Sequence, residues 1–416
     1  MWFRGFLAGL FSLAFSALSP ELAQAQAPAK AGSAQPASAV DRSDPIAVLQ
    51  ERIARGEIEL GFEPGHGFLQ DLLRRLGINT STQILVFSKT SLQSPLIDSS
   101  APRAIYFNDK VTVGSVQNSP VLELMAPARD GYVFYTLENK TAGVPKFTRH
   151  QGADCGRCHG ADALEPGLIV ASTPVKADGT PVFIPSDKPP RLFEFTDQTT
   201  PIAERWAGWY VTGSQGGRPH QGNGAFAYED DGTRHVHNED AFNAPDLSRY
   251  FDVARYLRPT SDIVALMVFE HQAKMTNILL RTGVMAARSK QLSPSARDEL
   301  IDYMLFAREA PLSAPVTGGA DFQLDFVSQG PRDPAGRSLR DFDLRTRLFK
   351  YPLSYMIYSP AFEALPPTAK QDIYKRLAEI LRDRDDSERF PHLSPDDRRN
   401  ILEILRATKP DFAAVL

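Results

Sequence analysis

The chain is poor in cysteine. Of 416 residues only Cys155 and Cys158 are cysteines. That scarcity excludes a disulfide-stapled framework. It also excludes a structural zinc site made of two cysteine pairs, because such a site takes about four ligands. No excess of charge is present: 46 cationic residues stand against 50 anionic ones, a formal net charge of −4, and both signs are interspersed. A nucleic-acid-binding surface is therefore not expected. Beyond the first residues no apolar run is long enough for a membrane span. No internal repeat is visible.

What is present begins with an expected export signal. Arg4 gives a positive start, Phe6 to Leu18 is an apolar run of 13 residues, and Ala23-Gln24-Ala25 is a small-x-small cleavage site. The run is short for a membrane helix. The absence of an Arg-Arg pair there points to a general secretory route, and the lack of a cysteine at the cleavage site gives no lipid anchor. We therefore expect a signal peptide over 1–25, a flexible Ala/Pro/Gln/Ser-rich lead-in over 26–40, and a mature protein in the periplasm. The remaining length exceeds one typical domain. The expected division is an N-terminal α+β domain over 41–145, a central domain over 146–310 and a helical region over 311–416.

Local patterns set the expected fold class, α+β, with a small antiparallel sheet in the N-terminal part and mainly α-helical central and C-terminal parts. Asp44-Pro45 opens a helix, and Leu69, Leu72, Leu73 and Leu76 recur at helical spacing before Gly77. Short β-rich runs at 84–87, 104–107, 111–113, 121–124 and 132–135, with turn signals at Asn108-Asp109 and Asp130-Gly131, predict a sheet over 83–138. A hairpin is expected between 168–171 and 181–184. From Ser261 onward helices are expected to dominate. Ser293-Pro294 and Ser394-Pro395 mark helix starts, and 362–384 reads as one helix. Residues 313–345 read as a long connector.

The two cysteines fall in one motif, Cys155-Gly156-Arg157-Cys158-His159. In an exported chain this is the pattern of a covalently attached c-type haem. Both thiols can form thioethers to the haem, and His159 supplies the proximal nitrogen to iron. Two other readings of Cys-x-x-Cys exist. Zinc would need distant histidines. A thioredoxin-like dithiol would follow a buried strand, whereas Thr148 to Asp154 is polar and a histidine directly follows Cys158.

The motif, together with the stretches Phe87–Gln93, Pro102–Asp109, Val133–Leu137, Trp206–Gly213, Glu270–Gln272 and Leu348–Pro352, resembles a bacterial family of exported, single-haem, cytochrome c domain-containing proteins. The resemblance runs over nearly the whole mature chain. It implies an exported haem protein and no particular reaction.

The second axial ligand is not given by spacing. No methionine lies between His159 and Met267, so the arrangement of a minimal cytochrome c does not hold. The expected helix near 262–285 carries Met267, His271 and Met275 at i, i+4 and i+8, on one face. His271 or Met275 is the leading candidate for the distal iron ligand; a Met-rich core stripe is the plain alternative. Asn277 and Arg281 are candidates for groups near the iron, and Arg103 and Arg205 for partners of the haem propionates. His66 precedes the Leu-rich helix, and His150 stands five residues before the motif, where it can flank the ring edge. His220, His235 and His237 form a possible second metal site or simply polar loop. Trp206 and Trp209 are expected to pack against something large.

The expected function is single-electron transfer by a monohaem c-type cytochrome, with a periplasmic redox protein as donor or acceptor. The alternative is a haem enzyme with an open distal site acting on a small ligand such as peroxide or a nitrogen oxide. His271, Gln272 and Arg281 would then be its acid–base or charge-stabilising groups.

Overall fold

A sheet with two unlike faces organises the protein. The computed structural model describes residues 44–128, 131–150, 155, 159, 167–182, 194–216, 220–228, 234–236, 243–382 and 388–416. The expected signal peptide and lead-in lie outside these residues. Strands β1 (Ile84–Val86), β2 (Arg103–Phe107), β3 (Thr112–Ser115), β4 (Val121–Ala128), β5 (Gly131–Glu138) and β6 (Phe147–His150) follow in sequence. After the short pair β7 (Ala171–Ser172) and β8 (Glu194–Phe195), strand β9 (Trp209–Tyr210) returns to the same sheet. Its order is β6-β5-β4-β3-β2-β1-β9, and every pairing is antiparallel. A further hairpin joins β10 (Phe226–Tyr228) and β11 (Arg234–Val236).

Successive side chains on a strand point to opposite faces, and here each set has its own partner. Leu85, Tyr106, Val113, Leu124, Val133, Tyr135 and Leu137 join one core with Ile46 and Leu49 of helix α1 (Pro45–Ala54) and Leu69, Leu72 and Leu73 of α2 (Leu69–Leu76). Asp44 caps α1 by accepting from the amides of Ile46 and Ala47, and its other carboxylate oxygen accepts from the buried Tyr135 hydroxyl at 2.6 Å. Gly77 ends α2 in the left-handed region, φ 68°, which glycine adopts without a β-carbon clash.

The opposite face joins the helical core only at the β1, β2 and β9 side. There Ile84, Val86, Ile105, Phe107 and Trp209 join the larger core around helix α3 (Ile263–Ser289). Asp262 caps α3 by accepting from Val264 N and Ala265 N, both at 2.9 Å. Ile263 through Ala273 are all buried, so the first three turns of α3 are enclosed on every side. Helices α4 (Pro294–Met304), α5 (Ala320–Ser328), α6 (Pro360–Glu363), α7 (Pro367–Leu381), α8 (Pro395–Thr408) and α9 (Pro410–Ala413) complete this half.

The α+β class and the N-terminal sheet are as expected, and helices dominate after α3. Four local readings are corrected. Residues 362–384 are not one helix: Pro366 and Pro367 break the run, and α7 begins at Pro367. The connector at 313–345 contains α5. The strand near 171 pairs with Glu194–Phe195, while the Asp178-Gly179 turn is closed by a bridge between Val175 and Pro181 and by the hydrogen bonds of Lys176 N–H to Thr180 O and Val182 N–H to Pro174 O. The sheet extends past 138 through β6 and gains β9 at its other edge. The larger core draws Ile84, Ile263 and Phe412 into one cluster.

Candidate functional site

Cys155 and His159 are both in α-helical conformation and both half-buried. Cys158 lies outside the described residues. His159 packs on the second sheet face, beyond the apolar part. Its imidazole meets the Phe134 ring of β5 with centroids 5.5 Å apart. Its Nδ1–H donates to the carbonyl oxygen of Gly167 at 2.8 Å. The acceptor fixes the tautomer, so Nε2 keeps its lone pair, and Nε2 has no hydrogen-bond partner among the described residues. Burial holds the imidazole below its ordinary pKa, with Arg103 adding to the effect and the Gly167 bond opposing it. A neutral imidazole with one nitrogen anchored and the other open is the form that ligates a metal.

The Gly167 carbonyl is itself held. Asn277 of α3 accepts from Leu168 N at 3.0 Å and donates to Leu168 O at 2.8 Å. Its Oδ1 also accepts from the Tyr132 hydroxyl at 2.6 Å. Sheet, motif and α3 thus meet at one amide side chain. A β-carbon on Gly167 would fall onto the Tyr132 ring, so only glycine brings this carbonyl to His159. Tyr132 packs on Leu280 and Val284 of α3, a small cluster separate from both large cores.

Cross-strand register places the rest of this face. Thr112, Met125, Phe134 and His150 stand side by side across β3, β4, β5 and β6. Ile105, Gly114, Glu123, Thr136 and Thr148 form the next row. His150 Nε2 hydrogen-bonds with Thr136 Oγ1 at 2.9 Å. Arg103 pairs with Glu123 at 2.6 Å, and each side chain is about a quarter exposed. The guanidinium lies where a β-carbon on Gly114 would be. Arg103 Nε is buried with no hydrogen-bond acceptor. Glu123 Oε2 is likewise buried without a hydrogen bond, so the ion pair leaves one atom unsatisfied on each side, at about 1–3 kcal/mol for such a group.

The expected distal candidates lie elsewhere. His271 is fully buried. Its Nδ1–H donates to Gln198 Oε1 at 2.5 Å, and its Nε2 accepts from the Ser354 hydroxyl at 2.7 Å. The ring stacks between Tyr303 and Phe306 at 5.5 and 4.7 Å, and burial pushes its pKa down to about 3. Neither nitrogen is left for iron. Met267 and Met275 are buried in the same core. From Asn277 the face of His271 is turned by about 120° at 100° per residue, which aims it away from His159.

The remaining sequence candidates separate in the same way. Arg205 forms a buried ion pair with Glu270 at 2.9 Å rather than facing an open site. Gln272 bonds Asn108 O and the Tyr355 hydroxyl, and Arg281 pairs with Glu299 at the surface. His66 lies in the tight turn bridged by Glu63 and Gly67. Trp209 donates to Ala171 O at 2.9 Å, and Trp206 is fully buried, edge-on to His220. His220 is buried and pushed down to about 4 by desolvation. His235 pairs with Ala227 in the β10–β11 hairpin, and His237 lies outside the described residues. Among the described residues no group of three or more His, Cys, Asp or Glu side chains is placed to hold a metal ion.

Sequence reasoning missed Gly167, Tyr132, Phe134 and Met125. Alternation of the strands was a sufficient signal to put Met125 and Phe134 on one face, but not to show that His159 lies against it. Among the described residues no helix is long and apolar enough to cross a membrane. No protein-family model, no curated protein and no solved structure matches the chain.

Proposed function

We propose that the protein is an exported monohaem c-type cytochrome that passes single electrons between periplasmic redox partners. One observation carries the reading: His159, in the Cys-x-x-Cys-His motif, has Nδ1 anchored on the Gly167 carbonyl and Nε2 open. When bound, a c-type haem supplies an iron that changes its charge by one electron. The donor set fits that group. Cys155 and Cys158 would carry it through thioethers, and His159 Nε2 would ligate the iron.

The chain's own residues then have definable tasks. Gly167 O holds the proton on Nδ1 and sets the ring orientation. Asn277 fixes Gly167 by gripping Leu168 on both sides. Tyr132, Phe134, Leu280 and Val284 supply apolar surface that keeps water from the imidazole. Arg103 is held by Glu123 in the space left by Gly114 and would meet a haem propionate only by leaving that pair. None of these tasks moves a proton during turnover, which suits electron transfer.

The test is the purified, exported protein. Haem should survive a denaturing gel and be lost when Cys155 and Cys158 are both replaced by alanine. The ferric and ferrous spectra should be low-spin and unchanged by carbon monoxide. Absence of covalent haem would overturn the assignment. A high-spin spectrum with ready carbon monoxide binding would instead favour a haem enzyme acting on a small ligand.

A further inference from the structure

We infer that Met125, thirty residues before the haem motif, is the second axial ligand of the iron. The inference rests on the haem reading above and goes beyond it by naming the sixth ligand. Met125 and Phe134 are direct cross-strand partners in β4 and β5, so their side chains share a face and stand adjacent. Phe134 is the residue on which the His159 ring rests. The thioether and the imidazole thus adjoin the same Phe134 ring.

Met125, 8% exposed, is also one of a few buried apolar side chains, with Ile97 and Val116, that stand outside the hydrophobic clusters formed by the described residues. A methionine usually fills gaps in a core. This one is enclosed on a face that carries Tyr132 and Phe134 beside the polar Thr112, Glu123, Thr136 and His150. A soft, unbranched thioether there is well suited to a soft metal partner.

The other donors are accounted for. Met267, Met275, Met304 and Met356 are built into the helical core, Met285 is 36% exposed toward the end of α3, and Met1 lies outside the described residues. His271 has both nitrogens bonded, and His392 uses Nε2 on Leu305 O at 2.7 Å. His150 is the competitor, because it flanks Phe134 on the other side. It is already bonded to Thr136 through Nε2.

The experiment compares the ferric absorption spectra of the exported wild type, Met125→Leu, His150→Gln and Met275→Leu. A methionine–iron bond gives a weak far-red charge-transfer band. We expect the band in wild type, its complete loss in Met125→Leu, and its retention in the other two. Met125→Leu conserves volume, a change that normally leaves a fold intact, and far-ultraviolet circular dichroism checks this. A band that persists in Met125→Leu, or disappears only in Met275→Leu or His150→Gln, overturns the inference. So does a wild type with covalent haem and no band. The pyridine haemochrome spectrum of the same samples reports covalent haem independently of the sixth ligand. Its absence would sink the haem reading itself, and its presence without the band would sink only Met125.

Discussion

Two histidines divide this molecule into a closed region and an open one. His271, inside the helical half, has both ring nitrogens bonded, two aromatic neighbours stacked on its faces and no exposed surface. His159, on the sheet face, has one nitrogen anchored and the other without a hydrogen-bond partner among the described residues. Around His271 the charged groups are also paired, as Arg205 with Glu270. Around His159 an Arg103 donor is left unmade. The contrast lies in the two imidazoles, since unmet buried polar atoms occur on both sides, the Tyr303 hydroxyl beside His271 as well as Arg103 Nε.

The sharpest way to break the closed side is Arg205→Ala. Glu270 would remain fully buried, with only Thr196 to hydrogen-bond its carboxylate. Losing one partner of a buried ion pair costs about 3–5 kcal/mol. Urea unfolding at neutral pH should show that loss. A change below about 1 kcal/mol would mean that Glu270 is not enclosed as the structure has it.

Next in size is His271→Gln, which should cost about 2–4 kcal/mol through unmade hydrogen bonds and lost stacking. Its pH dependence is the stronger check. The unfolded imidazole takes up a proton near its ordinary pKa, whereas the folded one resists down to about 3. The unfolded state therefore binds more protons in that window. The stability of wild type is complete above the ordinary value and falls as pH drops below it, by up to about 1.4 kcal/mol per pH unit from this group. The glutamine variant lacks that loss, so its deficit relative to wild type should shrink by about 2 kcal/mol between pH 7 and pH 5. A constant deficit would show that His271 titrates freely in the folded protein.

These two regions were not equally legible in the sequence. Strands β1 to β5 were readable because alternation and turn signals are local. Strand β9 was not, since two residues carry no period and its partner β1 lies far back in the chain. Strand β6, Phe-Thr-Arg-His, is too polar to announce itself. The spacing of Met267, His271 and Met275 correctly shows a shared helical face, but spacing cannot say what the face meets; here it meets Tyr303 and Phe306 rather than the motif. The partner of His159 Nδ1 is a backbone carbonyl, which has no side-chain signature. A search for the second ligand that runs only downstream of the motif passes over Met125, because a sheet brings residues together by register rather than by distance along the chain.

On the open side, Asn277→Ala should cost about 1–3 kcal/mol, since it strands Leu168 N–H, Leu168 O and the Tyr132 hydroxyl. Beyond stability, it frees the carbonyl that orients His159. If that linkage is real, the visible spectrum of the haem-bearing protein should broaden or shift with the substitution. A variant that loses stability while keeping an unaltered spectrum would reduce Asn277 to a packing residue.

The smallest effect sharpens the same point one helical turn away. Arg281 follows Asn277 by four residues on α3, and sequence alone offered both as groups near the iron. The structure separates them: Asn277 is bonded into the segment that holds His159, whereas Arg281 reaches Glu299 with about a third of its side chain exposed. An ion pair of that kind contributes roughly 0–1 kcal/mol. Arg281→Ala should accordingly shift the urea midpoint little and leave the absorption spectrum unchanged. Were it instead to alter the spectrum as Asn277→Ala does, the influence on His159 would be long-range charge rather than the hydrogen-bonded chain from α3 through Leu168 and Gly167. Raising the salt concentration would then restore the wild-type spectrum, because exposed charges are screened within about 10 Å at 0.1 M ionic strength.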